Sequence, residues 1–200
     1  MRWIHPLSPE VEEPADVLGG KAHGLVVLRR LGLPVPPGFV IGTEACRAFL
    51  RHGRLPDGLD AQLAAAVADL EAATNRKLGG PERPLAVSVR SGAGASMPGM
   101  MTTVLNLGLT PQTAIARLRL AAAAVFSSWD TPRATTYREL HDIPHDLGTA
   151  VTVQAMVFGN RDDHSGAGSP SAATPTPASL SRSVRSCSVA RATRSSRAGR

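Results

Sequence analysis

The sequence predicts a mixed α/β domain followed by a disordered basic tail. Three observations carry this. Segments with helical spacing of apolar residues alternate with short β-branched runs, LAVSVR alternates with period two, and the composition changes abruptly after Gly168. A chain of 200 residues suits one domain, or one and a half, with enough length to bury a core.

The elements follow in order. Residues 1–8 read as a short strand and residues 9–14 as an acidic linker. Gly19-Gly20-Lys21 opens a helix with Leu25, Val26, Leu28 and Leu31 at helical spacing, closed by Gly32. Pro34, Pro36 and Pro37 forbid its continuation, and GFVIG reads as a short buried strand. Thr43 is a good N-cap for a helix that Arg47 to Arg51 finish. Leu59 to Lys77 is a further amphipathic helix carrying Leu63, Val67, Leu70 and Ala73 on one face.

LAVSVR then reads as a strand entering a glycine-rich loop, with TTVLNLG as its returning partner. Thr110-Pro111 starts a long helix through Ile115, Leu118, Ala122, Val125 and Phe126, and TPRATTYREL repeats that start. AVTVQAMVFGN is a strand apolar enough on both faces to be central in a sheet, ending in a turn at Gly159-Asn160. No internal repeat is present.

Charge divides the chain. Residues 165–200 hold six arginines and no acid, so they account for the whole formal charge of +6. A nucleic-acid reading therefore concerns the tail alone, which lacks aromatic interleaving and any recognised RNA motif. Nucleic acid is disfavoured as a partner. No apolar run approaches the ~18 residues of a membrane span, and MRWIHPLSPEVEEP lacks a secretory h-region, so a cytoplasmic protein is expected. Cys46 and Cys187 provide neither a disulfide framework nor zinc spacing, and Cys46 reads as a small buried hydrophobe.

Two places could carry chemistry. Lys21 follows paired glycines at a helix start, where free N–H groups and the helix dipole favour an anion, although no Walker A motif is present. Arg90 leaves a strand into Ser91, Gly92, Gly94 and Ser96, where glycines admit a ligand and a guanidinium fork matches phosphate oxygens. Pro98-Gly99 is a turn, and Met100-Met101 are adaptable apolar filler. Taken alone, these residues leave open a plain hairpin with a solvated lysine and an arginine in a surface ion pair.

The wording of the loop and its neighbours goes further. GGKAHGL, GLPVPPGFVIGTEAC, VSVRSGAGASMPGMMTTVLNLGL, SSWDTPRATTYRELHDIPHDLGTAVTVQAMVFGN and SGAG occur in one order. Together they closely resemble the N-terminal nucleotide-binding region of the pyruvate, phosphate dikinase family, over about residues 16–168. Phosphoenolpyruvate synthase is similar at GGK and SVRSG.

The resemblance implies an ATP-grasp fold, incomplete here: a partial ATP/PEP-binding region over 1–168, then the tail over 169–200. It implies a phosphotransferase in which ATP phosphorylates a histidine of a separate domain, with inorganic phosphate as a further acceptor. The phosphoryl group then passes to pyruvate. Lys21 and Arg90 match residues that contact ATP phosphates, with Ser91, Gly92 and Ser96 in the same loop. Gln154, Met156 and Val157 lie on a strand that would border adenine. Mg²⁺ is implied as a cofactor, but its expected ligands have no counterpart in these residues.

Departures are equally specific. Thr102 stands where the family usually has Asp, Gly94 where a larger residue is common, and residues 109–124 are short. None of His5, His23, His52, His141, His145 or His164 lies in the context of the phosphohistidine, so no catalytic residue is assigned. Codons can be chosen for SPSAATPTPAS that, read one base earlier, spell the strand that relatives carry after SG(A/T)G, and Arg, Ala, Ser and Pro enrichment is what an out-of-frame GC-rich gene produces. A frameshift near Gly168 is therefore expected to have produced residues 169–200, leaving a truncated chain inactive by itself. Two alternatives are a non-catalytic nucleotide-binding module complemented by another chain, and a nucleic-acid binder built on the arginine tail.

Overall fold

Alternation of side chains organises the molecule. In a computed structural model, which describes residues 1–109, 114–159, 167–171 and 183–187, five strands form one antiparallel sheet. They are β1 (Ile4–Pro6), β2 (Gly38–Ile41), β3 (Val87–Gly92), β4 (Thr103–Leu107) and β5 (Ala150–Ala155), in the order β1-β2-β5-β3-β4. β5 is central, as its apolar wording predicts, and pairs with both β2 and β3.

One sheet face carries the main core. Val87 and Val89 of β3, Val151 and Val153 of β5, and Phe39 and Ile41 of β2 gather there. Two helices complete this cluster: α3 (Leu59–Thr74) brings Leu63, Val67 and Leu70, and α4 (Ala114–Ser127) brings Leu118, Ala122, Val125 and Phe126. Each of these larger side chains contributes roughly 1.5–3 kcal/mol on burial. α2 (Thr43–His52) adds Ala45 and Cys46.

The opposite face is more polar. α1 (Ala15–Arg30) lays Leu18, Ala22 and Val26 against Val40 and Ala150. Beyond α1, the cross-strand pairs Ser88–Gln154 and Arg90–Thr152 place four polar residues on this same face.

Several expectations change at the element ends. Gly42, not Thr43, is the N-cap of α2; the Thr43 hydroxyl instead donates to the Asp16 carbonyl at 2.6 Å. α3 stops at Thr74 because Asn75 turns left-handed with φ 51°, so it does not reach Lys77, and Ala73 is exposed. The first strand shortens to three residues at the sheet edge. Thr110-Pro111 and Asn160 lie outside the described residues, and Ile115 faces solvent with 45% exposure. α5 (Pro132–Leu140) starts as the Thr-Pro wording predicts, with the Thr131 hydroxyl accepting from the Ala134 N–H.

The chain divides into residues 1–156 and 157–200. In the second unit, β6 (Ala167–Ser171) and β7 (Ser183–Cys187) pair antiparallel, local order that the tail composition does not announce. Among the described residues no helix is long and apolar enough to cross a membrane.

Candidate functional site

α1 is two helices joined at a break, and the break builds the site. Gly19 takes φ 73° and ψ 152°, so a new helical turn begins at Gly20-Lys21. A Cβ at Gly19 would stand 1.6 Å from the Gly92 carbonyl oxygen, which excludes every other residue there. The adjacent Gly20 N–H donates to the Ala93 carbonyl at 3.1 Å. The paired glycines thus clasp the start of the β3–β4 loop, and Lys21 is delivered to it.

That loop is held at its far end as well. Met100 N–H donates to the Met97 carbonyl across Pro98-Gly99, and Gly99 has φ 71°, a type II turn. Met97 is buried against Trp129 and Ala134. Trp129 is fully buried, donates from Nε1 to the His145 carbonyl at 2.8 Å, and lies 4.3 Å beneath the Arg138 guanidinium. Burying this ring and its cation–π partner anchors the loop to α5.

Between the two fixed ends lies a cleft of about 510 Å³. Lys21, Ser91, Gly92 and Ser96 line it, as does Thr103, which the sequence reading passed over. Thr103 stands directly opposite Arg90 in the β3–β4 register, a placement that only strand pairing reveals. Lys21 donates from Nζ to the Ser91 carbonyl at 2.6 Å, so Ser91 enters through its main chain. Gly92 is close-packed: its N–H donates to Thr149 Oγ1, and a Cβ there would meet the Lys21 stem at 3.4 Å. Burial lowers the Lys21 pKa below the ordinary lysine range, and the charge of nearby Arg90 lowers it further.

Arg90 is half-buried, next to the cleft lining rather than in it. It donates from Nη2 to Gln154 Oε1 at 2.6 Å, and Gln154 donates from Nε2 to the Pro36 carbonyl at 3.1 Å. Its Nε is buried without a hydrogen-bond partner, and so is the hydroxyl of Thr152, the residue opposite it on β5. Met156 leaves β5 with its N–H donating to the Ala86 carbonyl and its sulfur accepting from Asn106 N–H. Val157 belongs to the second unit and is 78% exposed. The structure therefore gathers Lys21, Ser91, Gly92 and Ser96 at one cleft, sets Arg90 and Gln154 beside it, and leaves Met156 out of its lining.

Cys46 is buried and its thiol is pushed up to about 11 by desolvation, in keeping with a core residue. Among the described residues no three His, Cys, Asp or Glu side chains cluster as metal ligands. The Asp16 carboxylate lies near Gly94 of the loop, and one carboxylate by itself does not fit a Mg²⁺ site.

An antiparallel sheet with a lysine at a helix start set against a glycine loop defines a nucleotide-binding α/β domain, a partial ATP-grasp fold. The chain belongs to the family described as pyruvate phosphate dikinase, AMP/ATP-binding domain, which matches residues 15–78 and 52–184. It is similar to pyruvate, phosphate dikinase of Rhizobium meliloti (strain 1021), 36% identical over 84% of this chain and 28% of the relative. The protein of that name from Clostridium symbiosum is 31% identical over 84% of this chain and 29% of its own. Pyruvate, phosphate dikinase 2 of Zea mays is 34% identical over 76% of this chain and 27% of its own. The chain thus spans less than a third of these relatives. The first alignment runs over 255 residues, longer than the whole chain, so that relative holds residues within the matched region that this chain lacks.

Proposed function

We propose that the cleft binds the phosphates of ATP through Lys21, Arg90, Gly92 and Ser96, with Ser91 orienting Lys21. The observation that carries this is the juxtaposition of two cations. Lys21 and Arg90 are close enough for one to depress the pKa of the other, yet among the described residues neither is in an ion pair with a carboxylate. Like charges held partly out of water have an unmet demand for an anion. The adenine would be bordered by the main chain at the end of β5, from Gln154 to Met156, with no part taken by the Gln154 amide.

The reaction this implies converts ATP, pyruvate and phosphate to AMP, phosphoenolpyruvate and diphosphate through a phosphohistidine. In that reaction this chain's residues bind and orient the triphosphate and neutralise charge developing on the transferring phosphoryl oxygens. The phosphohistidine and pyruvate-binding parts lie outside these residues, on the same polypeptide or on a separate chain. Residues 1–200 alone would bind nucleotide without completing the reaction.

Calorimetric titration with ATP tests the site. Wild-type protein should bind, and Lys21→Met and Arg90→Ala should each weaken binding by about tenfold or more. Affinities equal to wild type would remove both residues from the site. The frame-shifted origin of residues 169–200 belongs to the same reading, although the family match continues to residue 184. The nucleotide sequence around codon 168 decides it, since a shifted frame that does not spell a strand ends the idea.

A further inference from the structure

We propose that the Gln154 side chain is a positioning residue for Arg90 rather than a contact to the nucleotide base. The inference rests on the phosphate-binding reading of the cleft, and deepens it. The Gln154 side chain is buried, and both ends of its amide are already engaged. Oε1 accepts from Arg90 Nη2 at 2.6 Å, and Nε2 donates to the Pro36 carbonyl at 3.1 Å. The first partner lies 64 residues back along the chain and the second 118, so the amide bridges the proline loop before β2 to the middle of β3.

An arginine has a long, flexible stem, and confining it costs entropy that a ligand would otherwise have to offset. Gln154 confines it beforehand. With Nη2 held, Nε remains buried and without a partner. An unpartnered guanidinium N–H in a fixed plane is what a phosphate oxygen, or a water bridging to one, would satisfy. The same tether keeps the Arg90 charge near Lys21, whose pKa it lowers. A neutral amide suits this task, because it fixes the arginine without cancelling the positive charge that the ligand needs.

The test combines three substitutions, one of them in two backgrounds, with two ligands and one ligand-free measurement. Gln154→Leu should weaken ATP binding about tenfold while leaving adenosine affinity unchanged. Gln154→Glu keeps an acceptor for Arg90 and should recover tethering of the guanidinium. In the Arg90→Ala background, Gln154→Leu should cost nothing further. Loss of adenosine affinity equal to the loss of ATP affinity, or an equal loss in both backgrounds, would overturn the proposal.

Arginine side-chain nitrogen NMR on the unliganded protein separates this proposal from the site reading. Guanidinium rotation of Arg90 should be slow in wild type and Gln154→Glu, and fast in Gln154→Leu. Unchanged rotation sinks the tether even if ATP binds as expected. Slowed rotation with no ATP binding sinks the phosphate reading while leaving the tether intact.

Discussion

The two faces of strands β3 and β5 carry opposite chemistry. On one face Val87, Val89, Val151 and Val153 join a core closed by α3 and α4. On the other stand Ser88, Arg90, Thr152 and Gln154, polar residues of which all but Arg90 are buried. The valine face has what it needs from its neighbours, since apolar contact is complete there. The polar face is left with a buried arginine N–H and a buried threonine hydroxyl that lack hydrogen-bond partners. Apolar packing and unpartnered polar groups are thus separated by the thickness of one strand. The residue alternation that makes a strand amphipathic is what separates them.

Substitutions can break or sharpen this contrast. The largest effect is expected at Gly19, where α1 touches the polar face. Gly19→Ala places a methyl group into the Gly92 carbonyl and imposes a left-handed φ on a residue with a Cβ. Thermal unfolding should show loss of several kcal/mol or failure to fold; a near-native melting curve would refute the clasp. Next comes the apolar face: Val153→Ala should cost about 2 kcal/mol in denaturant unfolding, through lost transfer energy and a cavity. A loss below about 0.5 kcal/mol would mean that the site relaxes freely.

The polar face should respond in the opposite direction. Thr152→Val removes a buried hydroxyl without a partner and keeps the side-chain shape, so it should stabilise the protein by about 1 kcal/mol. Destabilisation by the same amount would show that the hydroxyl is satisfied, by water for example.

The smallest effect concerns His5, buried at the sheet edge with Nδ1 2.9 Å from a Glu13 carboxylate oxygen. Burial lowers its pKa, and this outweighs the opposing attraction of Glu13. The unfolded chain therefore binds a proton more readily. Stability is fully present above the unfolded histidine pKa, near 6.5, and falls as pH drops below it toward the lowered folded pKa. A melting series in that window should show this slope, reduced in His5→Asn. A slope that rises on acidification instead would mean that Glu13 dominates.

Much of this was legible in the residues. LAVSVR and AVTVQA alternate or run apolar as strands must, and the Thr-Pro start of α5 carries its own cap. Gly19-Gly20-Lys21 opens a helix because only glycine tolerates the break that precedes it. The cap of α2 was misplaced for a physical reason. The hydroxyl of Thr43 found a stronger demand in the Asp16 carbonyl of a helix that is distant in sequence. Thr103 was missed because nothing local distinguishes it; it joins the cleft by standing across from Arg90.

Periodicity, punctuation by glycine and proline, and side-chain chemistry are short-range properties, so the sequence by itself determined the strands, most helices and the lysine, arginine and glycine loop. It also determined that the positive excess resides in residues 165–200. Only the tertiary structure decided that β5 lies between β2 and β3, that Met97 is pinned by Trp129, and that Gln154 holds Arg90. Those contacts join residues tens of positions apart. Their partners are selected by which faces the folded sheet brings together, and no local pattern encodes that choice.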